Sequence, residues 1–369
     1  MSPCKENDKR VVMTLDAGGT NFVFGAMCDC KPLTAEIRLP SSGNDLGKSL
    51  NTLFEGFHSI RKALNEIPQA ISIAFPGPCD YVEGIVFKQK NLPAYQNGVP
   101  LKYLLEKEFK IPVFMHNDAD LFAYGEAQRG LLPKVNNTLS ANGTSRAYEN
   151  LLGVTIGTGF GAGIVSEGRL FKGDNSSAAE VWALRNKKFP YSYTETTISA
   201  QGLVNTYKRF ANISAEKNLS AGDVSEIALG NIKGNQEAAL ATFNEFGEVL
   251  GNALVDISTI VDGLIVIGGG LSNAYDLFIR SLINEMNSKI KTQEGIPINR
   301  LTYSMHNLEN PKEYAEFCSK SEQLIQVPFS DEKISYYGVQ KIGVGKSFYE
   351  TSHSVAIGAY LLAVKKLNI

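Results

Sequence analysis

The sequence predicts an α/β protein made of two domains of similar plan, and three observations carry that prediction. VVMTLDAGGTNFVFGAMCD, near the start, reads as strand, two-glycine turn, strand, because β-branched and aromatic runs flank Gly18 and Gly19. LLGVTIGTGFGAGIVSEG repeats that order in mid-chain. Around both hairpins, stretches of helical periodicity alternate with short apolar runs, the pattern of strands separated by helices. The repeat is one of order rather than of residues, with a period too long for a solenoid.

In the first half, runs 11–15 and 22–27 make the hairpin. Apolar residues from Leu46 to Leu64 recur at helical spacing, and QAISIAFPGP gives a third strand ending in a Pro-Gly-Pro loop. LKYLLEKEF is a short amphipathic helix, IPVFMHNDAD a strand closing on two carboxylates, and LFAYGEAQRG a helix ended by glycine. In the second half, residues 238–260 form a long helix, and DGLIVIGGG is a buried strand with glycines at its C-terminal end. Segments 133–150 and about 290–350 are polar and weakly periodic, and read as excursions from the plan. TSHSVAIGAYLLAVKKL is an apolar helix expected to pack back onto the first domain. The expected domains are 1–129 plus 351–369, and 130–350 with insertions near 133–150 and 290–350.

With 369 residues, 43% hydrophobic and 20% charged, the chain can bury more than one core. A net charge of −2, from 36 basic and 38 acidic residues, offers no broad field to nucleic acid or an anionic membrane. The chain lacks an apolar stretch of about 18 residues, and MSPCKENDKR lacks the apolar core of a signal peptide. A cytoplasmic location is therefore expected. Five scattered cysteines, at 4, 28, 30, 79 and 318, agree with a reducing compartment. Cys28 and Cys30 have no second Cys or His pair at zinc spacing.

A tight turn with two successive glycines leaves backbone N–H groups uncovered, and such a nest suits phosphate oxygens. Asp16 cannot sit against a phosphate without a cation between them, so this pairing implies Mg²⁺ held through water. The same residues also describe an ordinary hairpin, with glycine supplying positive φ and Asp16 closing a strand. A second turn, GTGFGAG at 157–163, and a third cluster, GGG at 268–270, move the reading toward a nucleotide site. Competing motifs fail. Gly47-Lys48-Ser49 and Gly345-Lys346-Ser347 imitate the end of a P-loop, but its upstream glycine is replaced by Ser42 and Gln340. The dinucleotide fingerprint fails at Ala162.

HNDADLFAYGEA places Asn117 and Asp118 at the C-terminal end of a strand, where α/β sheets hold their ligands. A carboxylate there can accept the proton of an attacking hydroxyl. Asn and Asp are also the preferred helix caps, and both roles can hold if Asn117 or Asp120 caps while Asp118 faces a ligand. Glu180 and Glu195 follow the second glycine turn. As acceptor-only carboxylates they suit a polyol, or they are solvated surface residues.

DAGGTN, FPGP, NLP, NDA followed by GE, GTGFGAG, the Glu of AAEV, and IGGG occur in the order seen in ROK proteins, sugar kinases and related repressors with the actin-like ATPase fold. The resemblance spans roughly residues 11–275 and 351–365. It implies a two-domain actin-like (ribonuclease H-like) fold with an interdomain cleft. It also implies that Asp16, Gly18, Gly19, Thr20 and Asn21 form a first phosphate loop, with Asp16 on Mg²⁺ through water, and that Gly157, Thr158 and Gly159 form a second. Gly269 and Gly270 would lie by the adenosine of ATP, Asp118 would be the general base, and Asn91, Asn117, Glu180 and Glu195 would hold the sugar. One departure stands out. Family members commonly carry Gly-His shortly after the glutamate matched by Glu180, then a Cys-rich zinc loop, but here Trp182 and Ala183 follow and no cysteine lies between 80 and 317. Structural zinc is therefore expected to be absent. The alternative to a kinase is a sugar-binding regulatory or catalytically reduced relative. A DNA-binding repressor is disfavoured because 15 residues before Asp16 are too few for a helix-turn-helix. The expected partners are sugar, ATP and a second copy of the chain in a homodimer, with no nucleic acid and no membrane.

Overall fold

The computed structural model describes residues 8–88, 92–144, 146–214, 218–319, 322–337 and 340–368. By contacts the chain divides into two compact units, Met1–Gly130 with Gly163–Ala178 and Phe348–Ile369, and Leu131–Ala162 with Ala179–Ser347. Gly163–Ala178, expected with the second domain, groups with the first. The reason is local: a Cβ on Gly163 would lie 2.7 Å from the Ala119 carbonyl and 2.8 Å from Asp120 Cα, so this strand runs directly against the helix beginning at Asp118.

In the first unit, strand Val12–Ala17 is antiparallel to Asn21–Cys28 and parallel to Ala70–Ala74, which is parallel to Val113–His116. Val12, Met13 and Leu15 are all buried, as a strand covered on both faces requires. Edge-to-face rings continue the core outward, Phe24 to Phe57 at 5.2 Å and Phe57 to Phe109 at 5.8 Å. Helix Leu46–Ala63 starts at Asp45, whose side chain accepts Lys48 N–H at 3.1 Å. Gly47-Lys48-Ser49 is thus the first turn of a capped helix.

Helix Asp118–Arg129 packs against the C-terminal helix Thr351–Lys366. Two glycines set the distance: a Cβ on Gly125 would stand 2.0 Å from the Ser354 carbonyl, and one on Gly358 2.0 Å from that of Leu121. The buried Glu126 joins the two elements, accepting from Ser354 Oγ at 2.6 Å and Phe348 N–H at 3.2 Å. The helix that carries Asp118 is thereby clamped along its length.

The second unit's sheet runs Leu151–Ile156, Leu264–Gly268, Lys341–Lys346, Ser304–Asn307, all parallel, and residues 160–162, the part of strand Phe160–Ser166 that belongs to this unit, lie on the other side of Leu151–Ile156. The polar 290–350 segment is therefore not simply an excursion. KIGVGK is an inner strand with Ile342 and Val344 buried, and lysines at both ends disguise it. Two separate hairpins, Lys289–Lys291 with Pro297–Asn299 and Glu322–Gln326 with Lys333–Tyr337, are the true additions. Part of the 133–150 segment is likewise regular: Leu131–Ala141 is a helix burying Leu131, Leu132, Val135 and Leu139. Pro133 and the Asn-Asn-Thr run obscured its periodicity. Among the described residues no helix is long and apolar enough to cross a membrane.

Candidate functional site

In the first unit the turn joining the two hairpin strands closes when Gly18 N–H donates to the Asn21 carbonyl at 2.9 Å. Gly18 has no left-handed φ. Its glycine identity answers to space, since a Cβ would fall 2.9 Å from the Asn21 oxygen. Buried Ser41 fixes the turn from behind, donating its hydroxyl to the Gly19 carbonyl at 2.6 Å and its N–H to that of Thr20 at 2.9 Å. Gly18, Gly19 and Thr20 remain exposed and Asn21 half-buried. This is an exposed backbone turn on a rigid support.

Asp16 ends the central strand, and its carboxyl is pushed up to about 7, first by burial, then by the negative charges of Asp118 and Glu36, against a weaker opposing pull from Arg38. Asp118 is also raised, by burial, against hydrogen bonds from backbone N–H groups. The fold therefore brings together the two acids that the sequence singled out. A cavity of about 30 Å³ opens beside Asp16, lined also by Thr14, Glu36 and Ser352 among others, which is room for one or two waters. Asp16, a half-buried acid held up by burial and neighbouring negative charge beside space for water, is a place that a hydrated divalent cation would fit.

Asn117 is the cap of helix Asp118–Arg129: its Oδ1 accepts Ala119 N–H at 2.9 Å and Asp120 N–H at 3.4 Å. Its amide nitrogen donates to the Tyr81 hydroxyl at 3.3 Å, and that hydroxyl donates to the Phe75 carbonyl at 2.9 Å. The cap fixes the backbone at Asp118, so capping and presentation of the acid are one device. Tyr81 escaped the sequence reading because a lone tyrosine after a Pro-Gly-Pro loop carries no pattern. Asn91 lies outside the described residues.

In the second unit the turn after Leu151–Ile156 closes similarly, Gly157 N–H donating to the Gly159 carbonyl at 2.9 Å. The ends of two adjacent parallel strands bring the 157 and 268 clusters together. A Cβ on Gly157 would lie 4.0 Å from Gly270 N, one on Gly269 2.4 Å from the Ile156 carbonyl, and one on Gly270 would meet nothing within 4 Å. Gly269 also has φ +86°, a conformation suited to glycine. Strand C-termini with open backbone are where α/β sheets receive nucleotides.

Glu195 braces this turn, since its Oε2 accepts Phe160 N–H at 2.9 Å and would stand 2.7 Å from a Cβ on Gly159. Its carbonyl accepts the hydroxyl of Ser199, the cap of helix Ala200–Ala211. Glu180 is elsewhere on this unit's surface, after Ala179 at φ +61°, a strained value for a residue with a side chain. Its carboxylate accepts the indole N–H of Trp182. The loop between the two glutamates turns about buried Asn186, which accepts Lys188 and Phe189 N–H at 2.9 and 3.1 Å and donates to Thr197 Oγ1 at 2.8 Å. Among the described residues no group of three or more His, Cys, Asp or Glu is placed to hold a metal.

A match to the ROK family runs over residues 12–310. The chain belongs to the ROK family. The solved structure of glucokinase from Parabacteroides distasonis is 43% identical, with a TM-score of 0.85 over 97% of this chain and 98% of that one. The N-acetyl-D-glucosamine kinase of Photobacterium profundum is 27% identical over 303 residues, 76% of this chain and 91% of the relative. The glucokinase of Halalkalibacterium halodurans is 25% identical over 301 residues, 73% and 82% of the two chains. The fold of this ROK protein is the actin-like ATPase fold.

Proposed function

We propose that this ROK protein transfers the γ-phosphoryl group of ATP to a hydroxyl of a hexose or N-acetyl-hexosamine, with Asp118 as general base. Family membership and the named kinase relatives support the coarse activity, an ATP-dependent carbohydrate kinase. The observation that carries the finer reading is the acid at the strand end. Asp118 is fixed by the Asn117 cap and raised by burial, and a carboxylate whose pKa is raised accepts a proton more readily.

In this reading the backbone amides at Gly19 and Thr20, and those at Thr158 and Gly159, receive phosphate oxygens, with Gly18, Asn21 and Gly157 shaping the two turns. Gly269 and Gly270 leave the space that adenosine fills. Asp16 holds Mg²⁺ through water, and the ion neutralises phosphate charge when bound. Asn117, Glu180 and Glu195 take sugar hydroxyls, as does Asn91. Asp118 removes the proton from the attacking hydroxyl, and alignment and charge neutralisation do the rest. A cytoplasmic homodimer completes the proposal.

A coupled ADP-release assay over a panel of hexoses and N-acetyl-hexosamines tests it. Wild type should turn over at least one sugar, and Asp118→Asn should lower kcat by about 10²–10⁴-fold. Equal rates for the two proteins would remove Asp118 as the base. No turnover on any sugar would leave a sugar-binding relative without catalysis.

A further inference from the structure

Trp182 is the only tryptophan of the chain, and it lies at the surface, 41% exposed, with Tyr193 beside it at 42%. Single exposed apolar residues are ordinary on soluble proteins. Here, however, the exposed ring is anchored twice. Its indole N–H is given to the Glu180 carboxylate, and its edge meets the Tyr193 ring at 5.8 Å and 89°. Fixing a large side chain at the surface costs rotamer entropy with little burial in return.

The backbone is organised to produce that arrangement. Ala179 takes φ +61° immediately before Glu180, and Val181–Ala183 form a short 3₁₀ turn. Arg185 pairs with Tyr193 in an isolated antiparallel bridge, while Thr194 N–H donates to the Leu184 carbonyl at 2.8 Å. Asn186 ties the loop in between. Trp182 and Tyr193, 11 positions apart in sequence, are thus brought edge to face by a loop with its own polar core.

The chemistry left exposed is specific. A carboxylate offers about four lone-pair sites, of which the indole takes one, so Glu180 keeps acceptors for hydroxyl donors. Beside it lie aromatic faces with a negative quadrupole, which attract the weakly positive C–H groups on one face of a pyranose. A ring with an apolar face and a rim of hydroxyls complements this pair of surfaces. We infer that Trp182 and Tyr193 form the sugar platform of this protein, with the Trp182 N–H orienting the Glu180 carboxylate toward the hydroxyl rim. This inference rests on the kinase reading for the role of Glu180, and it assigns Trp182 and Tyr193 the task of selecting the sugar.

Because Trp182 is the sole indole, its emission reports on the platform directly. Wild type and Asp118→Asn should be titrated without ATP against glucose, galactose, mannose and N-acetyl-glucosamine, recording fluorescence, and the same sugars should be assayed for turnover with wild type. The expected result is a saturable change in emission with every sugar that is phosphorylated, in both proteins. Trp182→Phe, which keeps a ring and loses the N–H, should raise the sugar KM about 10-fold with the ATP KM unchanged. Trp182→Ala and Tyr193→Ala should raise it further. A sugar that is turned over while the emission stays flat, or a sugar KM unmoved in Trp182→Ala, would overturn the platform and leave the kinase reading intact. Saturable quenching by these sugars with no turnover of any of them would support the platform and overturn the kinase reading.

Discussion

The turns at Gly18 and Gly157 use one backbone device in opposite electrostatic settings. Each closes by the N–H of its first glycine, at 2.9 Å to a carbonyl within the turn, and each leaves the residues beyond it open. Around the first turn, Asp118 and Glu36 add to burial in raising Asp16. Around the second, a carboxylate braces the turn, since Glu195 accepts Phe160 N–H. Negative groups therefore help raise an acid at the first turn, whereas at the second a carboxylate braces the backbone. Equal glycine syntax thus sits in unequal surroundings, one turn beside a raised acid and the other braced by a carboxylate.

The largest expected effect breaks the first setting. Asp16→Asn should lower turnover by at least about 10²-fold, as loss of a group that stabilises transferring phosphate charge does. It should also stabilise the ligand-free fold. Asp16 rises from 3.8 in the unfolded chain to about 7 in the fold, so the folded state binds the proton more tightly. The contribution from this group is fully present below about pH 4 and is lost as pH rises through 7. The asparagine cannot ionise, so its advantage in thermal unfolding should grow from pH 4 to pH 8, to on the order of a few kcal/mol. His116, held well below the ordinary value of 6.5 by burial, then by Lys366 and Lys172, adds its own pH dependence below that value in wild type and variant alike, so the difference between the two proteins isolates Asp16. A variant that is inactive yet no more stable at pH 8 would show that Asp16 carries no electrostatic strain.

The second setting predicts a smaller and differently distributed loss. Glu195→Ala removes the acceptor of Phe160 N–H, so the ATP KM should rise about 10- to 100-fold, the range for one hydrogen bond to a charged group. Glu195→Gln keeps an acceptor and should retain most ATP affinity. If Glu195 acts on the sugar alone, both variants will change the sugar KM and leave the ATP KM where it was. Steady-state kinetics with each substrate varied in turn distinguishes the two roles.

Legibility followed the same division. The hairpin strands, the Asp118 helix and the long helix Gln236–Val261 were readable because their apolar periodicity is local and uninterrupted. Lys341–Lys346 was missed because a short strand between lysines gains its burial from neighbours distant in sequence. At the site, residue types announced Asp16, Asp118 and the glycines. Nothing in the sequence marked Tyr81 or Asn186, whose importance is a matter of which backbone groups they reach. Trp182, two residues after Glu180, was readable only as a departure from the family pattern; its contact with the carboxylate depends on the strained Ala179 backbone.

The smallest expected effect concerns the loop that carries this contact. In this loop Asn186 makes the cross-links, with hydrogen bonds to Lys188, Phe189 and Thr197. Asn186→Ala leaves buried donors and acceptors without a partner, at a cost of about 1–3 kcal/mol, which thermal unfolding should register as a lower Tm. A chelator should leave the wild-type Tm where it is. A drop on chelation would mean that a metal shares the task and that the asparagine is an accessory to it. If the chelator has no effect and Asn186→Ala also unfolds at the wild-type temperature, the loop is held by its aromatic contacts instead. Trp182 against Tyr193 would then support the second unit's surface as well as any sugar that binds there.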